Sequence, residues 1–74
     1  MNKPTLEKMQ IDSTLSVNQR MAAGSLLETK KRNGHRDLPR AAKNLQIIMS
    51  MDWDDALEYV EMVATEADDR EWSG

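Results

Sequence analysis

The sequence has no cysteine and no phenylalanine. Without cysteine there are no disulfides and no thiolate metal sites, and the lack fits a reducing compartment. A single histidine, His35, makes a histidine-based metal centre a poor expectation. Aromatic rings are few, only Trp53, Tyr59 and Trp72, and six methionines partly fill their place. No apolar run is longer than Ile47, Ile48 and Met49. That is far below the ~18–20 apolar residues of a membrane span. The opening MNKPTLEKMQ has no apolar stretch after its first lysine, so no secretory signal is visible. These absences lead to the expectation of a soluble, cytoplasmic protein.

The chain has 74 residues and is read as one domain, 1–74. A chain of this length buries only ~60% of its unfolded surface, so its core is marginal. Small domains often add disulfides, a metal or a second subunit. With the first two set aside, tight helix packing or self-association remains. Alanine, leucine, methionine, glutamate and lysine dominate, and all are good helix formers.

The local signals divide the chain into three helices behind a short N-terminal arm. In residues 1–12, Leu6, Met9 and Ile11 fit neither a helix nor a strand cleanly, and a frayed arm or a short helical turn is expected. Ser16 with Gln19 makes an S-x-x-Q capping box opening a helix over about 17–32. Its apolar side is Val17, Met21, Ala22, Ala23, Leu26 and Leu27. Gly24 inside it is either a point of close approach or a weak point. Lys30, Lys31 and Arg32 suit the negative end of the helix dipole, and Asn33-Gly34 ends the helix.

Asp37 as N-cap and Pro39 in the first turn open a second helix over about 38–50. Its stripe is Leu38, Ala41, Ala42, Leu45, Ile48 and Met49, while Ile47 and Met51 off the stripe suggest a second buried side. Asp52, with Asp55 three residues on, is expected to cap a third helix over about 53–70. That helix places Trp53, Ala56, Leu57, Val60, Val63, Ala64 and Ala67 on one face, and residues 71–74 are expected to form a frayed tail. The fold class is a small all-α three-helix domain.

Charge is divided between the two halves. Residues 1–51 have a net charge of +5 and residues 52–74 a net charge of −8, within an overall −3. Three readings stand. The two halves pair with each other; the basic segment meets phosphates; or the acidic helix attracts a basic partner at long range.

The constellations that could support chemistry have plainer explanations. Asp52, Asp54, Asp55 and Glu58 lack the central glycine and loop spacing of a calcium site, so no metal is expected. His35 lies in a turn beside Arg36 and Asp37, with no nucleophile motif to serve, and neither catalysis nor a cofactor is expected. The basic segment has no interleaved aromatics for base stacking. The helix that would enter a DNA groove is the acidic one, which phosphates repel. The stretch IIMSMDWDDALEYV, from Ile47 to Val60, resembles the second loop and third helix of ubiquitin-associated-type three-helix domains. Ser50 stands where those domains tend to have glycine, and the likeness of fourteen residues implies an amphipathic pattern rather than a function.

The functional expectation is a small, acidic, non-enzymatic regulator or inhibitor that binds another protein. Compact single-domain products of this kind are common among phage and mobile-element (viral) proteins. The expected protein-binding residues are Asp54, Asp55, Glu58, Glu61, Asp68 and Asp69, with Tyr59 and Met62 beside them. One alternative is a nucleic-acid-associated protein using Lys30, Lys31, Arg32, Arg36, Arg40 and Lys43. The other is a structural component acting as a homo-oligomer such as a homodimer, with Met49, Met51, Tyr59 and Met62 as its apolar centre.

Overall fold

The computed structural model describes the backbone of residues 5–73, and every regular element in it is an α-helix. In chain order these are α1 (Thr5–Gln10), α2 (Val17–Asn33), α3 (Leu38–Met49) and α4 (Trp53–Ser73). The three long helices lie where spacing and caps put them. The arm contains the short helix α1. Residues 1–4 and Gly74 lie outside the described residues.

The ends of α2 follow from local chemistry. The Ser16 backbone N–H donates to Gln19 Oε1 (2.9 Å) and the Gln19 N–H donates to Ser16 Oγ (3.2 Å), which is the full capping box. Gly34, at φ 83°, closes the helix by donating its N–H to the Lys30 carbonyl (2.8 Å). Asp37 Oδ1 accepts the Arg40 N–H (3.2 Å) and opens α3, with Pro39 in the first turn. Ser50 ends α3 in the left-handed region, φ 53° and ψ 42°. This conformation suits glycine and costs a residue with a Cβ about 1–2 kcal/mol. It turns the chain within Ser50, Met51 and Asp52, so that α4 packs against α3.

The opening of α4 differs from the expectation. The Asp52 carbonyl accepts the Ala56 N–H (2.9 Å), but neither the Asp52 nor the Asp55 side chain makes a hydrogen bond among the described residues. Both carboxylates point into water, and aspartate is too short for the reach that glutamate or glutamine makes in a capping box. The far end differs too. The helix continues through Ser73, so Glu71 and Trp72 are helical, and Trp72 is 90% exposed.

The core is built from small residues. Its members are Leu6, Met9, Ala22, Ala23, Leu26, Leu27, Ala41, Ala42, Leu45, Ala56, Val60, Val63, Ala64 and Ala67. Half of these are alanines, so the helices approach closely. The bulk comes from Met9, Leu26, Leu45, Val60 and Val63, all fully buried. Met9 belongs to α1, so the arm plugs the core instead of fraying. α1 lies on α2 and reaches α4, while α2, α3 and α4 all touch one another. The radius of gyration is 11.3 Å, as expected for a compact chain of this length from about 2.2·N^0.38 Å.

Some apolar residues stay outside this core. Ile47 is 72% and Ile48 53% exposed, so α3 has no second buried side. The α3 face bearing Ala41, Ala42 and Leu45 is covered by α2 and α4, and nothing among the described residues covers the rest. Val17 and Trp53 are also more exposed than their stripes suggested. Met49, Met51 and Tyr59 pack against the core rather than forming an outer apolar surface.

Candidate functional site

A groove of about 470 Å³ runs between α4 and the segment joining α1 to α2. Its floor is apolar: Met9, Leu15, Met62 and Val63. Its walls hold Glu58, Glu61, Glu66 and Asp69 from α4 and Gln19 from α2. The helical period places Glu58, Glu61, Met62, Glu66 and Asp69 along one side of α4, because residues three and four apart are surface neighbours.

The α2 cap helps to shape the groove. Gln19 uses its Oε1 to cap Ser16, and its Nε2 donates to Met62 Sδ (3.2 Å) across the groove. One amide side chain thus caps the start of α2 and holds a residue of the apolar floor. Met62 remains 43% exposed, which leaves it accessible.

Ion pairs join α4 to the first half of the chain at two places, and only the Arg36 pairs set the basic half against the acidic one. Arg36 donates from Nη1 to Asp68 Oδ1 (2.6 Å) and from Nη2 to Glu71 Oε2 (3.3 Å). Arg70 donates from Nη2 to Asp12 Oδ2 (3.0 Å) and from Nε to Glu66 Oε2 (2.9 Å). Asp12 Oδ1 also accepts the Thr14 hydroxyl (2.6 Å) and the Thr14 N–H (2.9 Å). The Thr14 hydroxyl, then its N–H, then Arg70 hold the Asp12 carboxyl down at about 2. The bonds from Glu66 and Asp12 push the Arg70 guanidinium upward.

Of the residues expected to bind a protein, Glu58, Glu61, Met62 and Asp69 come together in the groove. Asp54 and Asp55 are exposed in the first turn of α4, outside it. Tyr59 is half-buried against the core, and Asp68 is held by Arg36. Glu58 and Glu61 have no ion pair or hydrogen bond among the described residues.

Of the residues expected to bind nucleic acid, Arg36 is withdrawn. Its side chain is only 18% exposed and faces α4, because Asp68 and Glu71 attract it there. Lys30, Lys31, Arg32, Arg40 and Lys43 are exposed and form no ion pair among the described residues.

The sequence reading missed Met9, Leu15, Gln19 and Glu66 as parts of the groove. Gln19 left a local signal in its capping-box position. Glu66 follows from the helical spacing of α4, whereas Met9 and Leu15 enter through packing between segments more than 40 residues apart in the chain. No group of three or more histidine, aspartate or glutamate side chains able to hold a metal occurs among the described residues. Nor is any helix among them long and apolar enough to cross a membrane. Comparison with known protein families, curated proteins and solved structures finds no match.

Proposed function

We propose that this protein is a non-enzymatic binding module that takes a basic, amphipathic helix of another protein into the groove along α4. The observation that supports this is the pairing of an apolar floor with two edge carboxylates, Glu58 and Glu61, that have no partner among the described residues. Leu15 and Met62 offer apolar contact above the buried Met9 and Val63, while Glu58 and Glu61 offer charge. A helix laid in such a groove buries its apolar face and presents lysine or arginine to the rim. The acidic field of α4 raises the rate of encounter, and its charges discriminate against acidic competitors.

The test uses a synthetic leucine/lysine amphipathic helix as probe, titrated into isotope-labelled protein and followed by amide chemical shifts. The expected shifts centre on Leu15, Gln19, Glu58, Glu61 and Met62. A leucine/glutamate helix of the same pattern should leave them in place. The double variant E58K/E61K should lose the shifts while keeping its helical circular dichroism. Equal response to both peptides, or shifts centred away from the groove, would overturn the reading.

A second reading rests on Lys30, Lys31, Arg32, Arg40 and Lys43, exposed cations with no ion pair among the described residues, which offer a basic surface to phosphates. It requires an affinity that falls steeply with salt. Absence of any mobility shift with duplex or single-stranded DNA or RNA at low salt rules it out.

A further inference from the structure

A second groove, of about 420 Å³, lies between α2 and α3, away from the acidic one. Its rim includes Ile47 and Ile48, which are 72% and 53% exposed. Its base holds two unsatisfied polar atoms. Arg20 Nε and Ser25 Oγ are cut off from solvent and have no hydrogen-bond partner among the described residues, and Ser25 as a whole is 4% exposed. A buried donor without an acceptor is costly, and such groups are rare unless something absent satisfies them. Glu28 lines the same groove, is exposed, and has no partner among the described residues.

Arg20, Gly24 and Glu28 are spaced four residues apart and form one ridge of α2. Ridges of this kind are the rows by which helices most often interlock. The opposite charges sit at equal distances on either side of Gly24, about 6 Å along the axis in each direction. That pattern is complementary to itself. If a second copy of α2 lies antiparallel across the first, with the two-fold axis beside Gly24, Arg20 of each copy meets Glu28 of the other. In a two-fold interface the same contact is made twice. The side chain of Gln10 lies over Gly24, 2.9 Å from where a Cβ would stand, and its flexible end is free to turn aside.

We propose that the groove between α2 and α3 is a homodimer interface, in which a second copy of this chain docks α2 against α2 through reciprocal Arg20–Glu28 pairs. The partner's Glu28 meets the outer nitrogens of the Arg20 guanidinium, and the second copy covers Ile47 and Ile48. A small core that leaves two isoleucines in water is also where a second subunit contributes most to stability. The interface is separate from the acidic groove, so the proposal stands or falls independently of the peptide-binding reading.

Sedimentation equilibrium tests it with a set of charge variants. The wild-type chain is expected to dimerise. R20E alone and E28R alone should each weaken dimerisation ~10-fold or more, since close interfacial charge pairs couple strongly and each substitution acts at both contacts. An equimolar mixture of R20E and E28R should form a heterodimer, because every pair then becomes opposite in sign. The double variant R20E/E28R should dimerise like the wild type. I47D changes an exposed residue, so it should keep the helical fold and still weaken the dimer. A wild-type chain that stays monomeric at millimolar concentration overturns the proposal. So does a dimer that R20E, E28R and I47D leave unchanged, or a mixture of R20E and E28R that fails to associate.

Discussion

Replacing Met9 by alanine should remove much of the stability of the fold. Met9 is wholly buried, although it sits in a six-residue helix near the chain start. Truncating a buried methionine to alanine costs about 2–5 kcal/mol, the larger values applying where the surroundings cannot close the cavity. The rest of the core is mostly alanines and valines on packed helices, which have little freedom to fill a gap. A domain of this length has a total stability of roughly 4–11 kcal/mol, at 0.05–0.15 kcal/mol per residue. Met9→Ala therefore removes between a fifth and all of it. Urea unfolding followed by far-UV circular dichroism measures the change. At a slope of about 1 kcal/mol per molar, the midpoint should fall by ~2 M or more. Ile11→Ala is the internal control, because Ile11 is 81% exposed and a surface change of this kind stays within about 0.5 kcal/mol. Met9→Leu conserves volume and should cost less than ~1.5 kcal/mol. A Met9→Ala midpoint no lower than that of Ile11→Ala would refute the docking of α1 and with it the groove floor.

Four other perturbations have expected outcomes. Asp12 has its carboxyl lowered from 3.8 to about 2 in the fold, so its contribution is complete above pH 4 and is lost as pH falls towards 2. Asp12→Asn should be less stable than the wild type at neutral pH, with the gap narrowing across that window in acid unfolding curves. Thr29 is buried, donates to the Leu26 carbonyl (2.7 Å) and accepts the Asp37 N–H (3.1 Å); Thr29→Val should cost about 1–3 kcal/mol in chemical unfolding by leaving that N–H unpaired. Ser50→Gly relieves the left-handed backbone and should raise stability by about 0.5–1 kcal/mol, read as a higher melting temperature. Glu58→Lys should also stabilise, by about 1 kcal/mol or some 4–8 °C in melting temperature, because it reverses three like-charge contacts on α4.

What was legible in the sequence was local. The capping box at Ser16 and Gln19, the Gly34 terminus, the Asp37 cap and the apolar faces of α2 and α4 depend on residues three or four apart. Their signals survive without knowledge of the fold. The α1 segment was less legible because six residues give too few turns to fix a period, and only docking decides its state. The pairing of Arg36 was hidden for a related reason. Its partners Asp68 and Glu71 lie 32 and 35 residues on, and no local pattern brings them together. The groove along α4 was half legible. Its acidic wall follows from helical spacing, whereas Met9 and Leu15 reach it from another part of the chain. Ile47 showed the reverse failure, since an apolar residue in a helix does not by itself have a neighbour to cover it.

The unpaired carboxylates of α4 bear on function through their effect on the helix. Asp54 lies four residues and Asp55 three residues before Glu58, and Glu61 lies three after it. Each such like-charge pair destabilises a helix by about 0.2–0.5 kcal/mol, and no cation among the described residues offsets them at Glu58 or Glu61. Further along the helix, Glu66, Asp68 and Glu71 each face an arginine. The fold thus neutralises one end of α4 and leaves the other charged. Residues that oppose stability in this way are commonly kept for what they bind. Glu58→Lys separates the possibilities. A variant that melts higher yet no longer takes the basic helix identifies Glu58 as a binding residue held against the interest of the fold. A variant that melts lower assigns Glu58 a structural role and removes the main support for the acidic groove as a docking site.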